Sequence, residues 1–394
     1  MTLSQTFPTL TTPGTGRTAV QITSGDAFCY PLYYFISSIT RDARYLVYHR
    51  SDGKTVQLHR VELATGKTAQ LTSASATETQ WHPWCVPAGV GVLDHRSVLN
   101  EATGEVIYFD GNSVEAVDVE TLERRDLFEL PADRVAIGQN CCSPDGPWFF
   151  YIHHDAELHK QIYGDPAEGR RGGYSYPRHL SRNTKLAAFN LMTGEHRTVV
   201  ALNSPIHHVQ PYGDRMLVFS SLAVERAILV TDYDGGWYTH LRTQGEDGGT
   251  TCHYCVTDRG IFFEAHSADG LVAGVLDPVS KKPVEQLLPP TIRGGAPHVG
   301  ADGSGRRFFM ECADKERGHV VLFVKSLGGK SGVEFEYLFE DWPTVGEGQK
   351  SHFHPRVTPD GEHLIITAGD PTTRTNHVHL VDIHDLPETR FVLS

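Results

Sequence analysis

The chain has 394 residues, a formal net charge of −13 and only 35 Lys and Arg, which excludes nucleic acid as the main partner because phosphate binding needs a basic face. Its 38 Gly and 22 Pro point to many turns and short strands rather than long helices. No stretch reaches the length of a membrane span, the start (MTLSQTFPTL) has neither a basic end nor an apolar core, and seven cysteines with an adjacent pair at Cys141 and Cys142 suit no disulfide framework; the expected location is the cytoplasm.

Taken in chain order, the predicted elements repeat. Seven segments end an apolar strand in a turn rich in Asp, Thr or Gly. They begin at Val61 (VELATG), Val117 (VDVETL), Phe189 (FNLMTG), Val230 (VTDYDG), Val275 (VLDPVS), Val324 (VKSLGG) and Val381 (VDIHDL), at intervals of 41 to 72 residues. A second turn runs in phase with these tails: Arg41-Asp42, Ser143-Pro144-Asp145-Gly146, Thr257-Asp258-Arg259-Gly260, Ala301-Asp302-Gly303 and Thr358-Pro359-Asp360-Gly361. Each leads into an apolar run such as YLVYHR, WFFYIHH, IFFEAH, RRFFMEC or HLIITAG.

The unit is a four-stranded meander that cannot bury both faces alone. A radial arrangement covers each sheet with its neighbours and leaves only short edges. Seven tails therefore predict an all-β, seven-bladed β-propeller, with 1–394 as a single domain. The second blade, expected at roughly 75–115, is poorly marked. Gly164 to Asn183 reads as a long excursion from blade three, of the kind that rims a propeller channel. Two side-by-side β-sandwiches are the competing arrangement, against which stand the even repeat and the absence of a linker.

The 22 histidines justify a search for clusters. His153-His154 and His207-His208 read as background, because adjacent residues on a strand face opposite sides. Arg226 begins an apolar strand, where an Arg is a solvated rim residue unless it turns into the channel to pair with an anion. His253, in Cys252-His253-Tyr254-Cys255, sits just before the turn of its blade. It reads equally as a metal ligand, a base or a packed core residue. His298 precedes the next Asp-Gly turn in a comparable place. The strongest local signal is Gln349-Lys350-Ser351-His352-Phe353-His354-Pro355. On an extended segment His352 and His354 share a face, roughly 7 Å apart at Cα, so both can reach one metal. Gln349 can add an oxygen from the preceding turn, and His298 a third imidazole from the adjacent blade. Three His and one Gln leave two octahedral positions open, which suits Mn²⁺, Fe²⁺ or Zn²⁺. All four are neutral, so the ion keeps its double charge and can anchor a carboxylate.

Together these residues resemble oligogalacturonate lyases, family 22 of the polysaccharide lyases. The resemblance runs from Thr15-Gly16-Arg17-Thr18-Ala19-Val20-Gln21-Ile22-Thr23 to VDIHDLPE and is densest over QKSHFHPRVTPDGEHLIITAGD, Gln349 to Asp370. It implies a seven-bladed propeller with Mn²⁺, or another divalent transition metal, on His298, Gln349, His352 and His354. It also implies His253 as catalytic base and Arg226 as catalytic arginine. The implied reaction is β-elimination on an anionic uronate oligosaccharide, giving a 4,5-unsaturated uronate. Two stretches depart from the family pattern. Tyr30-Pro31-Leu32-Tyr33-Tyr34 stands where a His-Arg pair is typical, and Phe219-Ser220-Ser221-Leu222 where Phe-Cys-His-Glu-Gly is typical; a uronate other than galacturonate is consistent with both. The alternative is a non-catalytic propeller that binds a sugar or protein partner. A serine peptidase propeller has no support, since no G-x-S-x-G elbow occurs.

Overall fold

The computed structural model describes residues 1–75, 90–92, 96–163, 183–221, 227–243, 250–280, 282–293, 298–328, 332–346, 348–370 and 372–391. Short runs rich in Val, Ile, Phe and Tyr pair into seven sheets of four to six strands, antiparallel except where Val90–Gly91 and Arg390–Phe391 join an edge in parallel. Six follow one another along the chain. The first runs from Phe28–Pro31 to Thr68–Gln70, the second from Val98–Asn100 to Arg124–Glu129, and the third from Arg134–Ala136 to His196–Leu202. The fourth runs from Ile206–Tyr212 to Thr239–Arg242, the fifth from Thr250–Thr257 to Pro283–Leu287, and the sixth from Ile292–Arg293 to Glu334–Phe339. The architecture is a seven-bladed β-propeller.

Blade seven closes the ring with both ends of the chain. Its inner strands are Arg356–Val357, His363–Asp370 and Thr375–Asp382; its outer strands are Thr18–Gln21 and Thr9–Thr11. Ala19 pairs with Val381 and Val20 with Leu380, and the Met1 amine reaches Asp360 at 2.9 Å.

All seven predicted tails lie at or near the end of the third strand of a blade. In blades one to six the strand after each tail forms the outer edge of that same blade, whereas the strand after Val381, Arg390–Phe391, pairs with blade six. This shifts the second blade to Val98–Glu129 rather than 75–115. Helix Ala156–Tyr163 leads into the Gly164 to Asn183 excursion, most of which lies outside the described residues.

Second strands are buried on both faces. Phe149, Phe150 and Tyr151 in blade three, and Phe308, Phe309 and Met310 in blade six, are 0 to 1% exposed. Each such side chain contributes about 1.5–3 kcal/mol of transfer free energy. A polar residue inside these runs is therefore retained at a cost and needs partners.

Candidate metal centre and active site

The centre forms where the inner strands of blades four to seven begin. In blade six, Val299 pairs with Met310 and the Glu311 amide donates to His298 O at 2.8 Å. That register sets Glu311, from the apolar strand Phe308–Asp314, behind His298. Both are fully buried. The carboxylate accepts from five donors. Oε2 takes His298 Nδ1 at 3.0 Å and the His354 amide at 3.1 Å; Oε1 takes His319 Nε2 at 2.8 Å, His352 Nδ1 at 3.1 Å and the Phe353 amide at 3.0 Å.

Those bonds settle the tautomers. A carboxylate can only accept, so the proton of His298 and of His352 sits on Nδ1, and Nε2 of each presents a lone pair. This is how a second-sphere carboxylate prepares histidines for a metal. Burial opposes the charged form of Glu311, but the N–H groups that His352 and His298 turn on it and its other hydrogen bonds outweigh it and hold the carboxyl well below its usual range. Burial, then the neighbouring His253, pushes His298 well below the usual imidazole range, so it stands neutral as a ligand must.

Blade seven supplies the other arm. Gly348–Ser351 forms a 3-10 turn, and His352 N donates to Gln349 O at 3.1 Å. The expectation of an extended His352–His354 segment is corrected: the first strand begins only at Arg356 and His354 adopts φ +51°. The outcome for the rings is as expected, since they lie 5.9 Å apart and within 24° of parallel. Gln349 Oε1 is 2.8 Å from His354 Nε2. His298 stands 4.3 Å from His354 and 4.9 Å from His352 between ring centroids. The blades approach closely because Gly300 has no side chain; a Cβ there would meet Pro355 O at 2.3 Å.

These residues fit a divalent metal. Among the described residues the buried Nε2 of His298 has no hydrogen-bond partner, although it carries a lone pair and the ring packs against other imidazoles. Ligand atoms of His298, Glu311 and His352 lie within 4.8 Å of one another. Glu311 completes a cluster that the neutral three-His, one-Gln set left uncharged. His352, 18% exposed while His298 is 0% exposed, is the member nearest solvent.

His253 adjoins the cluster, its ring 4.3 Å from that of His298. Its Nδ1 lies 3.3 Å from Glu264 Oε1. His208 joins as well, 5.2 Å from His253, which corrects its reading as background. A bulge between His207 and Gln210 and φ +54° at His208 break the alternation that should have sent it to the other face. Tyr33 and Tyr34, 1% and 0% exposed, form the floor. The Tyr33 hydroxyl is 3.1 Å from His208 Nε2, and Tyr34 lies 5.1 Å from His298. The departing stretch at Tyr30 thus lines this centre, and Ser220 Oγ lies 3.4 Å from His208 Nδ1. Arg226 lies outside the described residues. Sequence reasoning missed Glu311, Glu264, His208 and the tyrosine floor. The first two had a signal: FFMEC and IFFEAH each set one carboxylate inside an otherwise apolar strand.

No family model matches the chain. It is similar to oligogalacturonate lyase of Dickeya dadantii, 21% identical over 386 residues, covering 93% of this chain and 94% of the relative. Its structure resembles oligogalacturonate lyase in complex with manganese, with a TM-score of 0.76, 18% identity and coverage of 98% and 99%. It also resembles oligogalacturonate lyase from Vibrio parahaemolyticus, with a TM-score of 0.75, 15% identity and coverage of 98% of each chain. The likeness to these two structures is one of fold, a seven-bladed propeller matched over almost its whole length.

Proposed function

We propose that the chain is a metal-dependent lyase that cleaves uronate-containing oligosaccharides, oligogalacturonate or a related uronate glycoside, by β-elimination. The observation that carries this reading is the pair of imidazoles, His298 and His352, held through Nδ1 by Glu311, with His253 packed against the ring of His298. The names of the relative and of both similar structures agree with it. His298, Gln349, His352 and His354 would hold Mn²⁺. Bound there, Mn²⁺ supplies a Lewis acid for a uronate carboxylate.

The chain's own residues do the rest. His253, with its Nδ1 proton held by Glu264, uses Nε2 to take the C5 proton of the uronate ring. The electrons of the C5–H bond become the C4–C5 double bond, and the C4–O pair leaves with the departing sugar oxygen. Arg226 pairs with the substrate carboxylate and stabilises the charge that builds on it. Tyr33 and Tyr34 close the site from below, so the oligosaccharide enters from the side of His352. Among the described residues no helix is long and apolar enough to cross a membrane.

The test is ultraviolet absorbance during incubation with galacturonate, glucuronate and ulvan-type oligomers plus Mn²⁺. A conjugated-alkene signal that EDTA and His253→Ala both abolish is expected. Metal-loaded protein that produces no such signal with any of the panel would count against the lyase and for a binding propeller.

A further inference from the structure

The geometry points to Glu264 as the positioning residue for His253, a role that rests on the base proposed above. Blades five and six are built alike here. The second strand of each runs three apolar residues and then a carboxylate: Ile261-Phe262-Phe263-Glu264 and Phe308-Phe309-Met310-Glu311. Tyr254 pairs with Phe263 as Val299 pairs with Met310, so each carboxylate stands behind the histidine that precedes the paired residue. Each comes within reach of Nδ1, at 3.3 Å in blade five and 3.0 Å in blade six. The corresponding place holds Ser220 in blade four and Thr367 in blade seven.

Glu264 is fully buried inside an apolar strand, where only its partners offset the loss of hydration. Its Oε1 accepts from the His253 amide at 3.2 Å and faces His253 Nδ1 at 3.3 Å. His266 Nε2 lies 3.5 Å from Oε2. One oxygen that receives both the backbone and the ring of the same residue fixes the ring against its own main chain. A half-turn of the imidazole would break the Nδ1 bond. A carboxylate only accepts, so the proton sits on Nδ1 and the lone pair on Nε2, across the ring from Glu264. Glu264 therefore selects the tautomer able to accept a proton. Its partners among the described residues belong to blade five, so its removal should disturb His253 and leave the metal ligands of blades six and seven in place.

The test compares Glu264→Gln and Glu264→Asp with wild type in the metal-loaded full chain. Glutamine keeps an oxygen for the His253 amide and Nδ1 but removes the negative charge that anchors the Nδ1 proton, so the preference for this tautomer weakens. Expected for Glu264→Gln is a fall in kcat of about 10- to 100-fold, with KM and bound Mn²⁺ per chain unchanged and partial recovery in Glu264→Asp. The second readout is independent of activity: imidazole ¹⁵N shifts in Zn²⁺-loaded protein should show His253 protonated at Nδ1 in wild type and a shift toward Nε2 in the amide variant. If no uronate is turned over, the lyase reading fails while the ¹⁵N shifts still decide the role of Glu264. Unchanged shifts, or wild-type kcat in Glu264→Gln, would overturn it. Should the amide variant fail to fold, the ¹⁵N shifts of wild type alone decide: His253 protonated at Nε2 rather than Nδ1 would overturn it.

Discussion

Glu311 and Glu264 occupy the same place in neighbouring blades, yet their surroundings differ. Glu311 accepts from five donors, three of them on the arm of blade seven. Glu264 has its partners within its own blade, at 3.2 to 3.5 Å. The first arrangement ties two blades together and fixes several ligands at once, as a metal centre requires. The second holds a single ring, which suits a residue that must gain and lose a proton. One repeated frame thus yields two environments through the number of donors gathered around a carboxylate.

The comparison is broken most severely at Glu311. Glu311→Gln presents an amide to donors that need an acceptor, and removal of one partner from such a buried network costs about 3–5 kcal/mol. Metal affinity should fall at least about 10- to 100-fold; metal titration and denaturant unfolding measure both. Wild-type occupancy in that variant would remove Glu311 from the centre. Gly300→Ala comes next. Its Cβ would collide with Pro355 O, forcing blades six and seven apart at a cost of about 1–3 kcal/mol and weakening metal binding without touching a ligand.

Milder changes sharpen the contrast. Tyr33→Phe removes the hydroxyl that meets His208 and should cost about 1 kcal/mol, with bound metal unchanged. Thr367→Val tests the blade-seven counterpart of the two glutamates. The Thr367 hydroxyl is buried with no partner among the described residues, so an isosteric apolar group should be neutral or slightly stabilising in thermal unfolding. A substantial loss would show that blade seven uses this position as its neighbours do.

Acid should act on the whole ring. Burial lowers His59 to about 4, and His153 and His379 to about 3. The unfolded chain protonates these imidazoles near pH 6.5, whereas the fold keeps them neutral. Their contribution is therefore present above about pH 6.5 and is lost as pH falls toward 4. A melting temperature that stays level from pH 7 to pH 5 would contradict this.

The repeat was legible because a propeller writes the same strand and turn chemistry seven times; the tails at Val61 through Val381 count its blades without any knowledge of the site. His298, Gln349, His352 and His354 were legible for a different reason, as their order and spacing resemble one family's pattern, and the structure brings them together. What stayed hidden depended on side-to-side register. Glu311 lies 13 residues from His298 and 41 from His352 along the chain, and only the pairing of strands across two blades makes it their common acceptor. His208 was hidden by a bulge, which no alternation rule anticipates. The tyrosine floor was visible as a departure from the pattern, but its contacts with His208 and His298 come from the far side of the ring.

The closure of blade seven has a consequence for biosynthesis. Residues 9–21 leave the ribosome well before 356–382, and they share one sheet. The strands Thr9–Thr11 and Thr18–Gln21 must wait for the other six blades to be made before they find their partners, a long-range pairing of the kind that slows folding. The arm bearing His352 and His354 precedes that final sheet directly. A chain cut short before residue 350 would lack Gln349's histidine partners and the lock of the ring together. A metal held by that arm would therefore report that the circle has closed.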